Sequence, residues 1–307
     1  MHTGTEARAH HFVPQCYLAG FTDTGRKDGR LHVTDLKRQK QWVSNPVESA
    51  HRRDYNRLSQ SDFDPLLIEK KLAEIEGAIA PVFKTLDEEL RPPTREELDY
   101  LLAYMAIQWV RVPAFRSLAE RITDTIYRSK LDEAVKTPES WTDHLEKSGI
   151  PLDSPGADYE RAFAFQKTGA YTFSVENDWH LKKAFQTAAN MIPALENRYW
   201  NTYVSFAGDY ITSDNPVAID GEKDTMVGFM NAEIITFPVS RHLMLIGTLE
   251  PCMVTPYSDE LVAQYNTFYM ITAPEQLYAH RADFPWMDEN GIVQRDWSRF
   301  DKAKVTA

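Results

Sequence analysis

From residue 64 to residue 135, apolar side chains recur at steps of three and four, and no other feature of the chain constrains its fold so tightly. Ile68, Leu72, Ile75, Ile79, Val82 and Leu86 form one stripe. Only the 3.6-residue period of a helix brings such a set onto one face, and that face must be covered by a partner. Asp64-Pro65 offers an N-cap and a proline at the first helical position, so a helix is expected to open there and to end at Arg91-Pro92-Pro93. Thr94, with Glu97 three residues on, makes a capping box for a second helix. Its Leu98, Leu101, Leu102, Met105, Ile107 and Trp109 lie almost all round the axis, which predicts a central position. Pro113 ends or kinks it, and residues 114–135 continue as a third helix.

The flanks read differently. Residues 31–35 and 41–43 are short β-type runs around the polar turn Lys37-Arg38-Gln39-Lys40, a hairpin pattern that Asn45-Pro46 breaks. Residues 50–58 carry no regular pattern. Residues 137–156 read as loop and short helix, and residues 177–197 as an amphipathic helix through Leu181, Phe185, Ala188, Ile192 and Leu195. Beyond Trp200 come β-type runs at 203–206, 210–212, 233–237 and 243–246, a helix at 258–266 and a last strand at 269–272. The expected fold is α+β in a single domain over 1–307. Residues 1–63 hold a His-His segment and β-hairpin, 64–197 a central helical bundle, and 198–307 a β-rich C-terminal part, so that β-structure from both ends flanks the bundle.

Several function classes fall away on composition and motifs. No apolar run approaches the roughly 18 residues of a membrane span, so no membrane partner is expected. The two cysteines, Cys16 and Cys252, are far apart, which fits a reducing compartment; together with the polar start this predicts a cytoplasmic protein. Glycine-rich nucleotide loops, a Gly-x-Ser-x-Gly elbow, His-Glu-x-x-His and paired Cys-x-x-Cys are all missing from the sequence. The net charge of −11 opposes unspecific binding to nucleic acid, yet residues 1–63 hold ten Lys/Arg against seven Asp/Glu. That mildly basic head, on a remainder of −14, leaves room for a local phosphate site.

Six places hold residues able to do chemistry. In His10-His11-Phe12-Val13-Pro14-Gln15, one histidine can move protons or ligate metal while the other supports it. His51 has Asp54 and Tyr55 close behind. Glu76 and Glu69 lie two turns apart on the first helix, beside its apolar stripe. Gln108 and Arg111 interrupt an apolar helix, and a charge there needs a partner, which Glu76 or an anionic ligand could supply. Thr212-Ser213-Asp214-Asn215-Pro216 is a dense turn at a strand end, where functional loops concentrate. His180 stands beside Trp179 on the late helix.

Taken in order, these pieces resemble a bacterial family catalogued as domain of unknown function 4238. The resemblance is carried by His10-His11-Phe12-Val13-Pro14-Gln15-Cys16-Tyr17-Leu18-Ala19-Gly20-Phe21, Ile75-Glu76, Gln108-x-x-Arg111-x-Pro113, Thr212-Ser213-Asp214-Asn215-Pro216 and Phe237-Pro238-Val239-Ser240. It spans residues 10 to about 280 and implies one fold and a set of site candidates, but no reaction. Cys16 stands where the family pattern suggests an aromatic or aliphatic residue, a packing change. A shorter resemblance links Ala9-His10-His11-Phe12-Val13-Pro14 to the Ala-His-His-x-x-Pro core of some His-Me toxin nucleases. In those nucleases one histidine activates water and its neighbour helps hold a metal over the scissile phosphate. They follow the motif with a helix; here a hairpin follows.

These readings combine into an expected metal-assisted phosphodiester hydrolase acting on nucleic acid or a nucleotide. His10, His11, Gln15 and Arg111 would be catalytic, and Gln108, Ser213 and Asn215 would bind ligand. His11, Glu76, Asp214 and His51 would hold a divalent Mn, Mg or Zn ion. The alternative is a non-catalytic sensor or binding protein for a small anionic ligand or protein partner.

Overall fold

The structure is a computed structural model, and it describes residues 8–60, 62–221, 227–252 and 258–305. The fold is α+β, built as two compact units: residues 1–114 with 181–307, and residues 115–180. The helical block expected at 64–197 is shared between the two units. Among the described residues no helix is long and apolar enough to cross a membrane.

In the larger unit, strand β1 (Ala9–His11) leads into a single turn of helix, α1 (Gln15–Leu18). The expected hairpin follows as β2 (Leu31–Asp35) and β3 (Lys40–Ser44), and β4 (His51–Arg53) then returns to pair with β1. Helix α2 (Leu67–Glu89) buries Leu72, Ile79, Phe83 and Leu86 from its stripe. It starts later than Asp64-Pro65 suggested, because the Asp64 carboxylate accepts the Leu66 N–H within a preceding turn at 2.9 Å. Leu90, in the left-handed region at φ 49°, closes it. Helix α3 (Arg95–Arg111) opens on the expected Thr94/Glu97 capping box and is buried through most of its last three turns.

Helix α4 (Pro113–Ala134) begins at the proline that ends α3 and runs into the smaller unit. That unit also holds α5 (Pro138–Lys147) and α6 (Tyr159–Thr168), which has Asp158 as its N-cap and Gly169 as its left-handed C-cap. Ala134, Val135, Trp141 and Leu145 form its small core. Helix α7 (Asn177–Glu196) carries the chain back into the larger unit.

The C-terminal half supplies β5 (Tyr199–Val204), β6 (Thr212–Ser213), β7 (Ala218–Asp220), β8 (Ile234–Pro238) and β9 (Leu243–Thr248). Four of these make an antiparallel sheet in the order β5-β9-β8-β7. Helix α8 (Asp259–Thr272) covers the stretch expected as a strand at 269–272, and the strand, β10 (Gln276–Ala279), comes four residues later. A small pair, β11 (Trp286–Met287) and β12 (Val293–Gln294), and a short helix, α9 (Lys302–Val305), follow.

The second four-stranded sheet, β3-β2-β10-β6, joins the two ends of the sequence. Strand β10 pairs antiparallel with β2 on one side, from Gln276 opposite Asp35 to Ala279 opposite His32, and with β6 on the other. The joint is locked by Tyr17, which is fully buried. Its ring stacks on Phe237 at 5.3 Å and meets Phe83 edge-on at 5.6 Å. Its hydroxyl donates to the Pro238 carbonyl at 2.7 Å and accepts from the Thr212 hydroxyl at 2.8 Å. One side chain of α1 thus ties the N-terminal segment to β6, β8 and α2.

Candidate functional site

Alternation along a strand sends neighbouring side chains to opposite faces, and β1 separates the two histidines in that way. His10 turns inward and is almost fully buried, its Nδ1 accepting the backbone N–H of Asn56 at 3.0 Å. A ring nitrogen that accepts from an amide carries no proton there, and the position is a structural one. His11 lies opposite His51 in the β1–β4 register. Directly opposed residues share a face, so the two rings meet edge to face with centroids 5.3 Å apart. Both are only half-buried.

Nε2 of His11 lies 3.1 Å from the Val47 carbonyl, an oxygen that can only accept, so this nitrogen carries the proton and Nδ1 the lone pair. Gln15, one helical turn on, places its side-chain nitrogen 3.4 Å from the same ring atom. Burial is the main influence on the ring and lowers its pKa below the usual histidine value. The Val47 hydrogen bond and Glu76 oppose that shift, while His51 and Arg111 assist it. His11 is thereby kept neutral near pH 7 and able to accept a proton.

Behind this pair stands a clamp. Arg111 at the end of α3 forms an ion pair with Glu76 of α2 at 3.0 Å and donates through Nη2 to the His11 carbonyl at 2.5 Å. Gln108, one turn earlier, donates to the Phe12 carbonyl at 2.9 Å and accepts from the Tyr104 hydroxyl at 3.3 Å. These residues hold the backbone of the His-His segment. The partner that Arg111 required is Glu76, and both ends of the Gln108 amide are taken up inside the protein.

The Ser-Asp-Asn turn sits elsewhere. Ser213 is fully buried, and its hydroxyl accepts the Asn215 N–H at 3.0 Å, so both residues are engaged in shaping the turn. Asp214 accepts the Glu275 N–H at 3.1 Å. Burial, the dominant cause, pushes its carboxyl up to about 7, with Glu275 adding to it and the backbone hydrogen bonds opposing. Asp214 shares with His51 a polar cavity of about 240 Å³, whose walls also include Trp42, Glu48, Arg52, Glu275 and Gln276.

The expected metal shell of His11, Glu76, Asp214 and His51 is not assembled. Among the described residues no group of three or more His, Cys, Asp or Glu side chains is arranged to hold a metal ion. The reasons are local: Nε2 of His11 faces Val47, Glu76 faces Arg111, and Asp214 is tied to the Glu275 backbone.

A second, larger cavity of about 750 Å³ adjoins the other side of His11 through Val47. Cys16, Arg26, Lys27, Phe83, Lys84 and Asp87 line it. Burial, followed by the nearby Glu76, pushes the Cys16 thiol up to about 11, which makes it a poor nucleophile. Next to this cavity is a pair absent from the sequence expectations: His242 Nδ1 is 2.8 Å from Asp87 Oδ1. Burial raises the Asp87 carboxyl, but hydrogen bonds from His242 and Ser240 outweigh it and hold the group below its usual range. No local pattern announces two residues 155 positions apart.

No curated protein and no solved structure matches the chain. The family model described as Protein of unknown function (DUF4238) matches residues 9–283, a span that contains β1, the Arg111 clamp, the Ser-Asp-Asn turn and both cavities. The chain belongs to the DUF4238 family.

Proposed function

We propose that this protein hydrolyses a phosphodiester in nucleic acid or a nucleotide, with His11 as general base and His51 as general acid. The observation that carries the reading is the His11–His51 pair: two half-buried imidazoles in edge-to-face contact across a strand pair, one of them held neutral with a defined tautomer. In the step envisaged, His11 takes a proton from the attacking hydroxyl or water as its oxygen bonds to phosphorus. His51 gives a proton to the leaving oxygen as the old P–O bond breaks. No step passes through a metal.

Cleavage of labelled single-stranded RNA and DNA tests this, run with chelator and with added Mn, Mg or Zn. His11→Ala and His51→Ala are each expected to lower the rate by roughly 10²–10⁴-fold, the usual contribution of a positioned acid or base. The thermal midpoint should stay within a few degrees of wild type. Full activity in His11→Ala would end the proposal.

A second reading is a sensor for a small anionic ligand, for which the larger cavity offers Arg26, Lys27 and Lys84, alongside Asp28, Asp87 and Glu88. Thermal stabilisation by a nucleotide without turnover of any phosphodiester would select it.

A further inference from the structure

The smaller cavity has a composition that the acid–base pair does not explain. Its volume of about 240 Å³ lies below the roughly 300–1,000 Å³ of pockets that enclose a whole drug-sized ligand. It is room for one heterocycle. Trp42 stands on its wall and keeps 40% of its surface exposed, although an indole gains more by burial than almost any other side chain. Strand β3, which carries it, is a sheet edge, with Val43 beside it also exposed. Among the rest of the lining, the acceptors are the carboxylates of Glu48, Asp214 and Glu275 and the amide of Gln276, with Arg52 and His51 as donors. An aromatic wall with acceptors beside it suits a flat ring whose edge presents N–H donors.

We infer that this cavity is a nucleobase subsite next to His51, with Trp42 as its stacking platform and Asp214 as an acceptor for the ring edge, and that it selects guanine. Among the common bases guanine alone offers two adjacent donors, N1–H and N2–H, on one edge, the pattern a carboxylate can accept from both. Stacking on a side chain requires an unpaired base, so the substrate is single-stranded. The inference rests on the hydrolase reading, since it places the base whose phosphate would meet His11 and His51.

Calorimetric titration of the full chain with guanosine, adenosine, cytidine and uridine monophosphates tests this independently of cleavage, with free arginine as a non-nucleotide carrier of the same donor edge. Guanosine monophosphate is expected to bind tightest. Trp42→Ala should weaken it by roughly 5- to 150-fold, the range that base–aromatic stacking supplies, and Trp42→Phe should restore most of it. Asp214→Asn should erase the preference for guanosine over adenosine while the protein remains folded by circular dichroism. Equal affinity for all four nucleotides, binding unchanged in Trp42→Ala, or arginine binding better than guanosine monophosphate would each overturn the inference. RNA cleavage without nucleotide preference would overturn it and leave the hydrolase standing. Selective guanosine binding with no cleavage would do the reverse.

Discussion

At Asp214 a carboxyl group is held where little water reaches it, and its titration becomes a measurable property of the fold. The unfolded chain ionises this group near the ordinary value of about 3.9, whereas the folded protein resists until about 7. A raised folded value means that the group's contribution is fully present below the unfolded pKa and is lost as pH rises through 7. Asp214→Asn, whose amide oxygen can still accept the Glu275 N–H, is therefore expected to raise the melting temperature at pH 8 by several degrees and to leave it unchanged near pH 4. An equal shift at both values would show that desolvation is not the cause. The cost of keeping a carboxylate here is what a ligand-facing residue characteristically imposes on its host. Some of this scale was readable in advance. An arginine within an apolar helix demanded a partner, and Glu76 was one of two named. His10 and His11 could be told apart only once β1 was known to be extended, and the Asp87–His242 pair lay beyond any local pattern.

At the level of elements, α1 is four residues long and could not persist alone, since an isolated helix of that length pays for nucleation with no propagation. Tyr17 holds it in place. Removing the hydroxyl in Tyr17→Phe keeps the ring stack but strips the Pro238 carbonyl and the Thr212 hydroxyl of a buried partner. A loss of about 1–3 kcal/mol is expected in urea unfolding, and a change below half a kilocalorie would mean that the hydroxyl bonds do not hold the segment. Helices α2 and α3 were legible because period and caps agree there. The stretch 269–272 misled because Tyr269, Ile271 and Thr272 are β-type residues, yet they end a helix that buries Val262, Ala263, Asn266, Thr267, Tyr269 and Met270. Tertiary packing overrides propensity at such a helix. Strands β1 and β4 escaped notice because three residues are too few to show alternation.

Across the whole molecule, β-structure expected at the two ends of the sequence meets in a sheet that both ends share, β3-β2-β10-β6. Composition indicated strands in each flank, but pairing between residues 31–35 and 276–279 is a long-range choice that no window contains. A chain stopped after residue 274 would lose β10, leave β2 and β6 without their common neighbour, and remove Glu275 and Gln276 from the smaller cavity. Such a truncation is expected to lose cooperative thermal unfolding and protease resistance, whereas a sharp melt would show that the larger unit closes without its last strand.

The lateness of β10 has a consequence for the protein's birth. A ribosome delivers His11 and His51 long before β10, whose Gln276 lines the same cavity as His51. Until that strand is made, the nascent chain carries the imidazole pair beside an incomplete cavity. If that cavity seats the RNA to be cut, the message being translated meets no complete site until β10 is in place.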